Sequence, residues 1–400
     1  MLLLDNPIQN YAWGSRTSLA SLLGRPPSTQ PEAELWIGAH AKAPSALRDG
    51  RSLLELIRSD PAGTLGPSVV QRFGAELPFL LKVLAVESPL SLQAHPNLEQ
   101  ARAGFEREQA AGIRLDAFER TYKDRNHKPE LVCALTRFEA LSGFRAPEAS
   151  ATLLESLGLA DLELVARLRS RAPEPLRLAF SELMTLAARP RAQLAQRVLE
   201  RCEHARREPG PFQASIGWAA RLGQAYPGDI GAVASLLLQH LTLEPLQAVY
   251  LESGRLHAYL EGTAVEIMAN SDNVLRGGLT PKHVDLPELL RVLHFDSPEL
   301  LPTPTRQVSR AELAYETPAP EFRLSCIELR EGSSFSGELR GPELLLCVAG
   351  ELQVSPRAGT ERRSELLRQG QACFLPARLG QYELAGTGRV FRATVGSVPS

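Results

Sequence analysis

Leu90-Ser91-Leu92-Gln93-Ala94-His95-Pro96-Asn97 alternates apolar and polar side chains up to a proline, the pattern of a strand with one polar face. Gln93 and His95 stand two apart, so on a strand their side chains point to the same side. Two such groups do not close a metal site alone. A Zn-type site needs a carboxylate and a second His from elsewhere in the chain.

The 400 residues exceed one ordinary core, and two or three domains are expected. A formal charge of -2 gives no net basic field, which argues against a nucleic-acid partner or a polybasic membrane contact and favours a small molecule. Five scattered cysteines with no Cys-x-x-Cys pair suggest neither a disulfide framework nor a thiolate zinc site; a reducing compartment fits. Met1-Leu2-Leu3-Leu4-Asp5 is too short for a signal segment and no apolar run is long enough to span a bilayer, so a cytoplasmic protein is expected.

Along the chain, Ala33 to His40 alternates like a strand, and Ser52 to Ser59 reads as a short helix stopped by Asp60-Pro61. Leu77 to Val86 is a continuous apolar run, expected to be a buried strand. Lys82 in its middle is either a snorkelling edge residue or part of a site. Pro96 to Glu119 is helix-prone. Glu130 stands at the junction between the charged loop 122–129 and the strand-like Leu131 to Leu135; a Glu there is ordinarily a solvated loop charge.

From about 147 to 240 the alternation disappears. Leu194, Ala195, Val198, Leu199 and Cys202 form one helical stripe, and similar patterns in 148–170, 174–188 and 230–241 predict an all-helical insertion punctuated by prolines. Strand character returns from Leu246, bringing a second candidate His, His257, and a charge pattern at Glu266, Asp272, Arg276 and Lys282 that follows neither an exposed strand nor a helix face. Beyond 300, strands are expected at Phe322 to Leu329, Glu343 to Val354, Ala372 to Leu375, Gln381 to Leu384 and Val390 to Val395, spaced as in a small antiparallel jelly roll. No histidine follows His294, so this part reads as a packing or interface module without an imidazole metal site. The chain is therefore mainly β with a helical insertion.

Seven blocks then stand in order: Asn10-Tyr-Ala-Trp-Gly-Ser15, Ala33-Glu-Leu-Trp-Ile-Gly-Ala-His40, Pro78-Phe-Leu-Leu-Lys-Val-Leu84, Pro89-Leu-Ser-Leu-Gln-Ala-His-Pro96, Asn126-His-Lys-Pro-Glu130, His257-Ala-Tyr259 and Ser271-Asp-Asn-Val-Leu-Arg-Gly-Gly-Leu-Thr-Pro-Lys282. Together they closely resemble the type I mannose-6-phosphate isomerase family of zinc-dependent cupin enzymes. The resemblance implies two cupin-type jelly-roll barrels, N-terminal metal-binding and C-terminal metal-free, plus an all-α domain. The expected division is 1–146 and 241–300 for the catalytic cupin, 147–240 for the helical insertion and 301–400 for the C-terminal barrel.

It also implies that Gln93, His95, Glu130 and His257 bind one Zn2+, that Arg276 is an essential arginine, and that Lys82, Lys282 and Tyr259 contact substrate. The substrate is a sugar phosphate: the family interconverts D-mannose 6-phosphate and D-fructose 6-phosphate, and a proton must move between C1 and C2 through an enediol-like state. For that step the first candidates are His127 or Lys128, supported by Asp272 or Glu266. A monomer or weak homodimer is expected. One departure is Glu252-Ser253-Gly254, where the family usually has Pro-Ala-Gly; Gly254 still permits a positive-φ turn. The alternatives are a catalytically silent sugar-phosphate-binding bicupin with a regulatory role, and an Fe2+ oxygenase, which favours a His-rich site with open positions. Nothing resembling a helix-turn-helix supports a DNA-binding regulator.

Overall fold

A computed structural model describes residues 1–357 and 364–396 of the chain. Among these residues the strands form two ten-stranded, antiparallel sheets, one built mainly from the first three-quarters of the chain and one mainly from the last. The fold is mainly β with helices. Among the described residues no helix is long and apolar enough to cross a membrane.

The centre of the first sheet is the strand His257–Ala269, which pairs through its second half with Phe79–Val86 on one side and Glu130–Ala134 on the other. Its first half pairs with Leu92–Ala94 and Phe138–Phe144. Leu275–Gly278 lies on the other side of Leu92–Ala94. One long strand thus touches every segment that carries a candidate ligand.

Strand alternation divides these side chains between two environments. Leu92, Ala94, Ala258, Leu260 and Leu275 join a core with the helices of the insertion, including Phe180, Val198 and Leu222. The intervening Gln93, His257, Tyr259 and Arg276 take the other face. In the second half, Leu81, Val83, Leu131, Cys133, Val265 and Ile267 pack against Phe322, Leu344, Leu346 and Phe391 of the second sheet. That leaves Lys82, Glu130 and Glu266 on the opposite side. Helices back one half of the site wall and a second sheet backs the other.

The local signals behind these elements are ordinary ones. Ser52 and Glu55 form a capping box at the start of Leu53–Ser59, as do Asn97 and Gln100 for Leu98–Ala110. Asp60 both ends the first of these helices and caps the next, Pro61–Leu65. In the insertion, Pro147–Ser156, Glu163–Arg169, Pro175–Thr185 and Ala188–Ala205 follow the expected stripes. Pro190 sits within the first turn of the last, where a missing N–H costs nothing.

Three expectations need correction. The segment 230–241 is not one helix: a turn at Gly231–Ala234 and a short tight turn give way to the strand Leu238–Leu243, which pairs with Phe138–Phe144. Its apolar run suits either state until a partner strand decides it. The helix Gln213–Ala225 is additional to the expected helices, although Ile216, Ala219, Ala220 and Leu222 mark its buried face. The two C-terminal strands at 381–384 and 390–395 are one strand, Gln381–Thr394. Its first half pairs with Ser334–Glu338 and its second with Arg323–Leu329. Sheet membership also crosses chain order, since Leu2–Asp5 and Ala46–Leu47 join the second sheet through Ala372–Leu375.

The turn before His257 is set by Gly254, at φ +81°, whose N–H donates to the carbonyl of His95 over 2.8 Å and whose carbonyl accepts from the His294 N–H. A Cβ here would lie 2.8 Å from the His294 ring. The left-handed backbone alone costs a residue with a side chain about 1–2 kcal/mol, so Gly254→Ala should lower the urea midpoint of unfolding by at least that equivalent. An unchanged midpoint would show that the turn relaxes freely.

Candidate metal centre and active site

Glu130 opens its strand with its side chain 2% exposed. Its Oε1 lies 3.3 Å from His95 Nε2 and its Oε2 lies 3.6 Å from His257 Nε2. All three residues are buried, and one ligand atom from each falls within 4.8 Å of the others. Gln93 stands directly opposite His257 on one neighbouring strand and opposite Arg276 on the other, so the three share a face. The structure therefore brings His95, Glu130 and His257 together from three distant segments, with Gln93 on the same strand face as His257.

The two imidazoles are oriented from behind. His95 Nδ1 is 2.7 Å from the backbone carbonyl of Asn273, and His257 Nδ1 is 2.9 Å from that of Arg255. Each Nδ1–H donates to its carbonyl, which leaves the Nε2 lone pair facing Glu130. Both Nε2 atoms are buried without a hydrogen-bond partner. Burial, reinforced by the Lys128 ammonium and only partly offset by Glu130, pushes His95 down to about 4, so its ring is neutral near pH 7. Burial works against ionisation of Glu130, but Lys128, with Nζ 2.6 Å from Oε1, leads the contacts that hold the carboxylate well below its usual range.

Two nitrogen lone pairs and a carboxylate converging on one dry point repel one another unless a cation lies between them. This donor set fits Zn2+: imidazole nitrogens and a carboxylate, each imidazole braced by a carbonyl.

Beside this cluster lies a second one. Lys82 is 3.2 Å from Glu266 and 3.5 Å from Glu34, with its ammonium 5.4 Å from the centre of the Trp36 ring. Burial would lower the lysine, but the two carboxylates outweigh it and raise it. The Trp36 indole N–H donates to Glu34 over 2.5 Å. Glu266 is pushed up by burial; Lys82 opposes the rise and Glu130 adds to it. The Tyr259 hydroxyl bridges the clusters, 2.9 Å from Glu266 and 3.3 Å from Glu130. Burial and those two carboxylates hold the phenol protonated. Lys82 is therefore no snorkelling edge residue: it is buried and paired with two carboxylates.

At the rim, Arg276 donates to Ser91 Oγ over 2.9 Å. Among the described residues it has no carboxylate partner, so its charge is free to meet an anion. Lys282 is exposed; burial of part of its stem, Arg276 and Lys42 all pull it down. Asp272 is not drawn into the metal cluster. It pairs with Lys42 at 2.8 Å and lies 3.6 Å from His40; those partners overcome burial and keep its carboxyl low. Nor is His127, whose Nε2 is 2.7 Å from Glu321 Oε1, a residue of the C-terminal part.

Glu34, Trp36, Lys42 and Glu321 belong to the site's surroundings without being singled out by any sequence pattern. Glu34 and Trp36 are two apart in a strand, and Trp36 lies opposite Lys82. That register is what spacing along the chain does not convey. Glu321 carries no local signal at all.

The family model for the phosphomannose isomerase type I catalytic domain matches residues 1–147. Mannose-6-phosphate isomerase of Escherichia coli (strain K12) is 38% identical over 397 residues, 97% of this chain and 98% of that protein. The Homo sapiens mannose-6-phosphate isomerase is 35% identical, covering 94% of this chain and 93% of its own. A crystal structure of a single-residue mutant of phosphomannose isomerase from Salmonella typhimurium matches with a TM-score of 0.91 at 37% identity, over 99% of this chain and 100% of that one. A crystal structure of mannose 6-phosphate isomerase bound with zinc and yttrium gives 0.89 at 38% identity, over 99% and 100%. With sequence and backbone agreeing over nearly the full length of both partners, the chain belongs to the type I phosphomannose isomerase family.

Proposed function

We propose that the chain interconverts D-mannose 6-phosphate and D-fructose 6-phosphate with one Zn2+ as cofactor. The observation that carries this reading is the convergence of two buried, carbonyl-braced imidazoles on the buried Glu130 carboxylate. His95, Glu130 and His257 would hold the metal, with Gln93 as fourth ligand. When bound, zinc supplies a Lewis acid to the sugar oxygens and fixes the geometry of the site.

The remaining work falls to the chain's own groups. In the aldose-to-ketose direction a base takes the C2 proton while an acid protonates the carbonyl oxygen, giving an enediol. A proton then leaves the C2 hydroxyl as one is added at C1, with no net redox change. Of the groups considered for this transfer, Lys128 and Glu266 stand beside the cluster, and we assign it to them. Burial and Glu130 make Glu266 readier to carry a proton than a surface glutamate. His127 and Asp272, each held by an ion pair, support the wall of the site.

Arg276 suits a substrate oxygen that gains charge or the phosphate, and Lys282 the phosphate. Tyr259 and Lys82 keep the two carboxylates apart in protonation and orient substrate hydroxyls.

In this reading the two sheets are two cupin-type jelly-roll barrels flanking an all-α domain. The catalytic barrel is drawn from 1–146 and 241–300, the helical domain is 147–240 and the second barrel is 301–400, with Leu2–Asp5 and Ala46–Leu47 lent to the second barrel. The five free, buried cysteines support a reducing, cytoplasmic setting. The silent-binding and oxygenase alternatives have no observation of their own in their favour.

Purified protein stripped by a chelator should lose isomerase activity in a coupled assay on mannose 6-phosphate and regain it with Zn2+; activity that survives complete metal removal would overturn the zinc assignment. His257→Ala should lose zinc by metal analysis. Arg276→Ala should keep zinc and lose turnover by about 10²-fold or more, the loss typical for removing a preorganised charge-stabilising donor. Equal zinc loss in both would make Arg276 a structural residue.

A further inference from the structure

His127 and Lys128 are consecutive, yet their side chains end in different halves of the molecule. Lys128 reaches Glu130 inside the metal cluster over 2.6 Å, while His127 reaches Glu321 over 2.7 Å. Glu321 precedes the strand Arg323–Leu329 of the second sheet. It is presented rigidly: Ala319 and Phe322 on either side are 4% and 1% exposed and belong to the core shared by the two sheets. The pair is largely shielded, with side chains 23% and 13% exposed, and the second oxygen of Glu321 is buried with no hydrogen-bond partner. The carboxylate is therefore committed to His127 alone among the described contacts.

The rest of the loop is fastened from the other direction. Asn273 donates to the backbone carbonyls of Asp124 and Asn126, Ser271 Oγ donates to Asp124, and the Asp272 N–H donates to the Asp124 carboxylate. These contacts stop at Asn126. Between Asn126 and Pro129, whose carbonyl accepts from the Ala269 N–H, the His127–Glu321 contact is the one side-chain tether, among the described residues, that does not itself belong to the metal cluster.

We infer that Glu321 is a positioning residue for the isomerase. Acting through His127, it fixes the loop that delivers Lys128 and Glu130, so the C-terminal part completes the active site without entering it. His127 is then a strut and not the proton-transfer group. A misplacement of about 1 Å in a reacting group is enough to cost on the order of 10²-fold in rate, and outer partners of metal sites typically contribute about 10- to 100-fold.

The kinetic arm rests on the isomerase reading; hydrogen exchange of 124–130 does not. In Glu321→Ala, kcat on mannose 6-phosphate should fall about tenfold or more, with KM little changed, zinc content near that of the parent protein and amide exchange in 124–130 accelerated. Glu321→Gln, which keeps an acceptor oxygen, should recover most of the turnover. His127→Ala should match Glu321→Ala, and the double variant should be no worse than either single one, because both remove the same contact. Parent-like kcat and parent-like exchange in Glu321→Ala would sink the inference, as would multiplicative losses in the double variant. If the parent protein does not turn over mannose 6-phosphate, the function assignment fails, and the exchange comparison alone decides the strut.

Discussion

A carboxylate buried against two imidazoles is the constraint on which this architecture depends. Burying Glu130 removes the water that would stabilise its charge, at an effective cost of several kcal/mol even after relaxation. Near pH 7 His95 does not repay that cost by ionising, because burial drives its ring neutral. The Lys128 ammonium and the Tyr259 hydroxyl offset part of it. What remains is an electron-rich point that a divalent cation stabilises. The same features that make the cluster unfavourable when empty make it selective for a metal with nitrogen and oxygen affinity.

The second charged cluster follows from the first. Glu266 lies close enough to Glu130 for their charges to interact, and the Tyr259 hydroxyl donates toward both. Two carboxylates this near do not both ionise without a counter-charge, and Lys82 supplies it from the adjacent strand, directly opposite Glu266. Lys82 in turn needs Glu34, which the Trp36 indole orients. A row of opposed residues across three strands thus separates two glutamates into different roles. One is a fixed anion that takes the metal, and the other is a group whose proton is easily held.

Part of this arrangement is legible in the amino-acid sequence alone. The strand face shared by Gln93 and His95, the buried run around Lys82 and the helical stripe at 194–202 are local patterns, and each needs only alternation or helical period to be recognised. Glu130 and His257 stand out only as possible ligands, because the distance between them depends on long-range pairing; resemblance to a family is what completes them as a set. The contacts of Glu34 and Trp36 stay hidden because register sets them, which sequence spacing does not encode, and that of Lys42 because it joins a turn to a distant loop. The strand Leu238–Leu243 passes for helix because Leu-rich runs satisfy both periods until Phe138–Phe144 lies beside them.

The helical insertion raises the question of how some ninety residues can interrupt a metal site without disordering it. Phe144, at its entry, pairs with Leu238, at its exit, so the chain leaves and re-enters on hydrogen-bonded neighbours. The entropy of closing such an excursion grows only with the logarithm of its length. The insertion's helices also give the site something in return. Leu92, Ala94, Ala258, Leu260 and Leu275 would face water on three strands if the helices were absent; packed against them, they lock each strand's alternation. A one-residue slip in any of these strands would turn Gln93, His257 or Arg276 to the opposite face of the sheet. The apolar core on the far side therefore sets the ligand geometry, and the second sheet does the same for Lys82, Glu130 and Glu266 from the opposite direction.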